Sequence, residues 1–96
     1  MNAPAPSDIM SRLDALAAEL SALGWTATIK MSPGRLPSVH ACNPEPGAAA
    51  LSEHIYARPR ADGTWVYWWP WAQPIADTPA TAAAIITHAL RAVGTP

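Results

Sequence analysis

The chain has 96 residues, half of them hydrophobic and 14% charged, the size and balance of one folded domain, which excludes an intrinsically disordered chain. Six basic and seven acidic residues leave a net charge of −1, without the basic excess on which nucleic-acid binding rests, so no nucleic-acid partner is expected. A single cysteine excludes an internal disulfide and points to a reducing cytoplasm, while the Met-Asn-Ala-Pro-Ala-Pro start lacks a signal peptide's pattern and no apolar run reaches membrane-span length.

In chain order, residues 1–6 read as a disordered tail and 7–94 as a single α+β domain. Ser7 stands where an N-cap belongs and Asp8 suits the first turn of a helix. Ile9, Leu13, Leu16, Ala17, Leu20 and Leu23 recur at helical spacing, and Gly24 is a natural residue to follow the last turn, so a helix is expected over about Asp8–Leu23. Thr26–Met31 alternates polar and apolar residues as a half-buried strand does, with Ala27, Ile29 and Met31 facing in. Ser32-Pro33-Gly34-Arg35 makes a turn, and Ser38–Cys42 a second strand with Val39 and Ala41 inward and His40 and Cys42 outward. Asn43-Pro-Glu-Pro-Gly47 breaks that strand, and Ala48–Ala50 fits either a helical turn or a small loop.

A third strand, about Leu51–Arg58, sets Leu51, Glu53, Ile55 and Ala57 on one face and Ser52, His54, Tyr56 and Arg58 on the other, with Pro59 marking its end. The fourth strand is the centre of the chain. Four of the five tryptophans fall within Thr64–Trp71, and the sequence has no Phe, so this stretch supplies most of the large apolar volume. Two turns compete before it. A two-residue turn at Asp62-Gly63 pairs Arg58 with Tyr67, whereas a type I turn with Gly63 in the bulge position pairs Ala57 with Tyr67. A slip of one residue exchanges the faces. The bulged register gathers Ile55, Ala57, Trp65, Tyr67 and Trp69 on one side, the more uniformly apolar solution, and is preferred. Trp71–Ile75 then reads as a crossing to the last helix. Thr78-Pro79 signals that helix's start, Ala82, Ile85, Ile86, Ala89, Leu90 and Val93 form its stripe, and Gly94 closes it. The expected architecture is a two-layer sandwich, α-β-β-β-β-α, with a four-stranded antiparallel meander and both helices on one face.

Pro37-Ser-Val39 with Asn43-Pro44, Asp62-Gly63-Thr-Trp65-Val-Tyr67-Trp-Trp69, and Trp71-Ala72 before Pro74-Ile75, together with the Ala-rich last helix, resemble a family of small uncharacterised actinobacterial α/β proteins. The similarity covers most of the chain after Leu13. It departs at Ala72, where the family carries Gly, and it supports the fold while implying no chemistry.

His40, Cys42 and His54 are the one cluster of soft ligands. A zinc site wants a fourth ligand, and the sequence has neither CxxC nor HxxxH, so no metal or cofactor is expected. A Cys42–His54 nucleophile pair lacks a recognisable orienting group and oxyanion hole. The Ser32–Arg35 turn has too few glycines to cradle phosphate. Glu53, on the inward face, is read as an end-of-strand group reaching solvent. The sharper lead is the outer sheet face, where Lys30, His40, His54, Tyr56, Arg58, Val66 and Trp68 form an aromatic and cationic surface of the kind that carries protein interfaces. The expected function is a non-enzymatic interaction module, homodimeric through this face and binding another protein. The alternative is a small-molecule-binding protein or minor enzyme with a pocket between the sheet and the 43–50 and 70–77 loops.

Overall fold

The computed structural model describes residues 6–44 and 52–90, and the expectations for residues 45–51 and 91–96 lie outside these. Helix α1 (Pro6–Ala22) is followed by strands β1 (Thr26–Lys30), β2 (Ser38–Cys42), β3 (Ser52–Pro59), β4 (Trp65–Trp68) and β5 (Pro74–Ala76), then by helix α2 (Pro79–Ala89). The chain is therefore α+β, but its antiparallel sheet has five strands rather than four, ordered β1-β2-β3-β4-β5.

Helix α1 starts at Pro6, so the N-cap expected at Ser7 is already inside the helix. Its other end is a Schellman motif. Gly24 takes φ 84°, its amide donates to the Ser21 carbonyl at 2.9 Å, and the Trp25 amide donates to Leu20 at 3.0 Å. Leu13, Leu16 and Leu20 are fully buried, whereas Leu23, already leaving the helix, is exposed. At α2 the Thr78 hydroxyl accepts from the Thr81 amide at 3.3 Å with Pro79 in the first turn, as expected. The buried stripe is rotated from the expected one. Ala82, Ala83, Ile86 and Thr87 point inward and Ile85 is exposed. The Asn43 side-chain amide donates to the Leu90 carbonyl at 2.7 Å, fastening the end of β2 to the end of α2.

The strand pairing follows the hydrophobic pattern. Ala57 lies opposite Tyr67 and Arg58 opposite Val66, the bulged register. Gly63 (φ 90°) donates to the Arg60 carbonyl at 2.9 Å, and Arg60 donates to Thr64 at 2.8 Å, the bonds of a type I turn closed by a glycine bulge. The same pattern recurs at the next hairpin. Ala72 donates to the Trp69 carbonyl and Trp69 donates to Gln73, both at 2.9 Å, and Ala72 takes φ 68°. This hairpin returns the chain as β5, where a crossing segment was expected. Pro74, which has no N–H to give, fits on the edge strand.

One buried cluster unites Leu13, Leu16 and Leu20 of α1 and Ala82, Ala83 and Ile86 of α2 with Val39, Ala41, Ile55, Ala57, Tyr67 and Trp69. Ala27 and Ile29 pack against it. Met31, expected inward, lies beyond the end of β1 and is 67% exposed. The Tyr67 hydroxyl donates to the Arg12 carbonyl at 2.7 Å, pinning β4 to α1, and the Arg12 guanidinium lies 5.2 Å from the Trp65 ring centre. Alternation along each strand then turns the intervening residues to the opposite face.

Candidate functional site

The outer face can be followed across the ladder. Lys30 pairs with Ser38, His40 with His54, Tyr56 with Trp68, and Arg58 with Val66. All seven expected surface residues therefore share this face, but they divide into two groups and one exception.

The first group is the histidine end. The His40 and His54 rings stack with centres 4.6 Å apart and planes 19° from parallel. The Ser38 hydroxyl, itself buried, lies 3.0 Å from His54 Nδ1. Cys42 Sγ sits 3.6 Å from His40 Nδ1, so the thiol's neighbour is His40 on its own strand and not His54. Burial first, then the facing His54 and then Lys30, holds the His40 pKa below its ordinary value, with Glu53 pulling weakly the other way. Among the described residues no group of three or more His, Cys, Asp or Glu side chains is placed to hold a metal ion. Glu53 is half-buried, and its Oε1 accepts from the His54 amide at 3.1 Å.

The second group is the aromatic end. Tyr56 and Trp68 stand side by side on neighbouring strands, both half-buried, and Trp68 Nε1 donates to the Arg58 carbonyl at 3.2 Å. Arg58 is exposed. These three line a cleft of about 580 Å³, within the range that small ligands and peptide side chains occupy. Pro59 of β3 and Trp69 also line it, and the rest comes from two loops, Arg35 and Leu36 after the β1–β2 turn and Pro70 and Ala72 in the β4–β5 hairpin.

The exception is Val66. At 2% exposure it contributes no contact surface, so it drops out of the candidate site.

Arg35 and Leu36 were not expected from the sequence, whereas Pro70 and Ala72 belong to the 70–77 loop that the alternative reading named as a pocket wall. The β1–β2 turn has Pro33 at its second position and Gly34, φ 76°, at its third, with Arg35 donating to the Ser32 carbonyl at 3.1 Å. This is a type II turn, and it carries Arg35 and Leu36 to the sheet's outer side. In the β4–β5 hairpin Trp71 stacks on Trp69, a residue of the core cluster, at 5.2 Å with planes 5° apart, and its Nε1 donates to Gln73 Oε1 at 2.9 Å. Trp71 is nonetheless 59% exposed. The five exposed large hydrophobic residues include Met31, Leu36 and Trp71, all three in these two loops. An arginine and two large apolar residues beside tight turns were the available signal. The β1–β2 loop was read as a plain turn because its residues are far in sequence from the rest of the cleft.

No helix among the described residues is long and apolar enough to cross a membrane. No family model matches the chain, and no curated protein or solved structure matches it. The functional reading rests on the geometry of the outer face.

Proposed function

We propose that this chain is a non-enzymatic protein-interaction module, a two-layer sandwich that keeps both helices on one face of its sheet and offers the other to a partner protein. The observation that carries the reading is the cleft in which Tyr56, Trp68 and Arg58 lie together, walled by loops that expose Leu36 and Pro70. Tyr, Trp and Arg are the residue types that dominate interface energetics. Large apolar residues exposed around one concavity mark a contact surface far better than the same residues scattered singly. We take the module to work in the cytoplasm, where the free thiol of Cys42 stays reduced. Affinity capture from the source cells tests the reading, with wild type, Arg58→Glu and Trp68→Glu as bait and Ala84→Glu on exposed α2 surface as control. Partners retained by the control and lost by the first two variants are expected. Partners retained equally by all four contradict it.

A second reading is self-association through the same face, and the Tyr56–Trp68 pair favours it, since a two-fold contact buries one apolar patch against itself. Like charge opposes it, because Lys30, Arg35 and Arg58 of one copy would meet the same residues of the other. Light scattering at high micromolar concentration separates the two. A mass of 10.1 kDa is expected for the hetero-partner reading, and a dimer mass supports self-association.

A further inference from the structure

Charge is distributed unevenly between the two layers. Lys30, Arg35 and Arg58 belong to the outer face or its cleft. Asp8, Asp14 and Glu19 lie on α1, and Asp77 immediately precedes α2. Asp62 is engaged at its own hairpin tip, accepting from the Thr64 amide at 2.9 Å. Among the described residues no carboxylate lines the cleft, and neither Arg35 nor Arg58 makes an ion pair. A chain that is slightly acidic as a whole therefore presents a cationic concavity with an aromatic floor.

Resting on the reading of the outer face as a protein-binding surface, we infer that its occupant is an extended acidic peptide segment, with carboxylates flanking an apolar side chain. The Tyr56 and Trp68 rings receive the apolar side chain. The Arg35 and Arg58 guanidinium groups, on the β1–β2 loop and on β3, receive the carboxylates through paired, charge-assisted hydrogen bonds. Pro59 and Pro70 in the walls have no amide donor and hold their backbones fixed, which suits a groove that recognises an extended chain by its side chains. A second copy fits this site poorly, since it brings cations to cations. A nucleic acid would need a basic surface larger than these three side chains.

The test uses the full chain, nitrogen-15 labelled, with a short synthetic peptide whose Glu residues flank a Leu-Pro centre, the same peptide with Gln for Glu, and inorganic phosphate. The Glu peptide is expected to move the Trp68 indole and the Arg58 backbone resonances. It should bind about tenfold more tightly than the Gln peptide, and raising salt to about 0.3 M should weaken it. Arg35→Gln and Arg58→Gln should each reduce affinity about five- to tenfold while leaving the spectrum of the free protein folded. Equal binding of the Glu and Gln peptides at the outer face would overturn the acidic specificity and leave the surface reading standing. Perturbation confined to α1 and α2 would overturn both. Failure of the Glu peptide to bind at millimolar concentration, or phosphate moving these resonances where the peptide does not, would overturn the peptide assignment.

Discussion

The two hairpins flanking β4 offer a paired substitution that isolates backbone energetics from packing. Gly63 and Ala72 occupy the same place in turns with the same two hydrogen bonds, at φ 90° and 68°. A side chain in this left-handed region costs about 1–2 kcal/mol. A Cβ built on Gly63 meets nothing within 4 Å, so Gly63→Ala adds torsional strain alone. Alanine also restricts the unfolded chain, which returns about 0.4–1 kcal/mol. The net expectation for Gly63→Ala is a loss of about 1 kcal/mol, or roughly 5 °C in Tm for a domain of this size. Ala72→Gly runs the same difference backwards and should stabilise by about 0.5–1 kcal/mol. Urea denaturation of the wild type, both single variants and the double variant measures this, with an unchanged m-value showing that the unfolded state is comparable. A neutral Gly63→Ala, or an Ala72→Gly that lowers the midpoint, would refute the assignment of both turns.

Tyr67→Phe removes the bond between β4 and the Arg12 carbonyl and should cost about 1 kcal/mol by the same denaturation assay. Burial raises the Tyr67 phenol's pKa, with Arg12 opposing, so an alkaline absorbance titration should show a phenol ionising above the ordinary tyrosine value of about 10 that is missing from Tyr67→Phe. His40 has a lowered folded pKa, so its stabilising contribution is full above the unfolded imidazole value of about 6.5 and is lost as pH falls toward the folded value. Between neutral pH and pH about 5 the wild type should lose more unfolding free energy than His40→Gln, and equal slopes would contradict this. Cys42→Ser should leave fold and partner capture intact, since the thiol contacts only His40; stoichiometric zinc in the purified protein or loss of capture in a folded variant would contradict it.

The parts of the fold that obey a period were legible in the sequence. The β3–β4 register was decidable because one choice puts Ile55, Ala57, Tyr67 and Trp69 together and the other scatters them. The N-cap of α2 at Thr78 and the close of α1 at Gly24 were legible for a similar reason, since few residues do those jobs. β5 was hidden by its brevity, its proline, and an alanine where the hairpin signal is a glycine. The rotation of α2 was hidden because ten residues among Pro79–Ala89 are Ala, Thr, Ile or Pro that fit either orientation of so small-sided a helix. The site was half legible. Strand parity placed Tyr56, Arg58 and Trp68 together, but parity places Val66 there too and cannot tell that it is buried. Arg35, Leu36 and Pro70 come from loops whose path depends on turn geometry, which a period does not encode.

The central claim is that the outer sheet face is the working surface. Photo-crosslinking in the source cells tests it most directly, with a benzophenone side chain placed singly at Leu36, at Pro70 or, on the helical layer, at Ile85. All three positions are exposed, and the first two line the cleft. A common adduct from Leu36 and Pro70 with none from Ile85 is the predicted result, and adducts formed from Ile85 but from neither loop would contradict it.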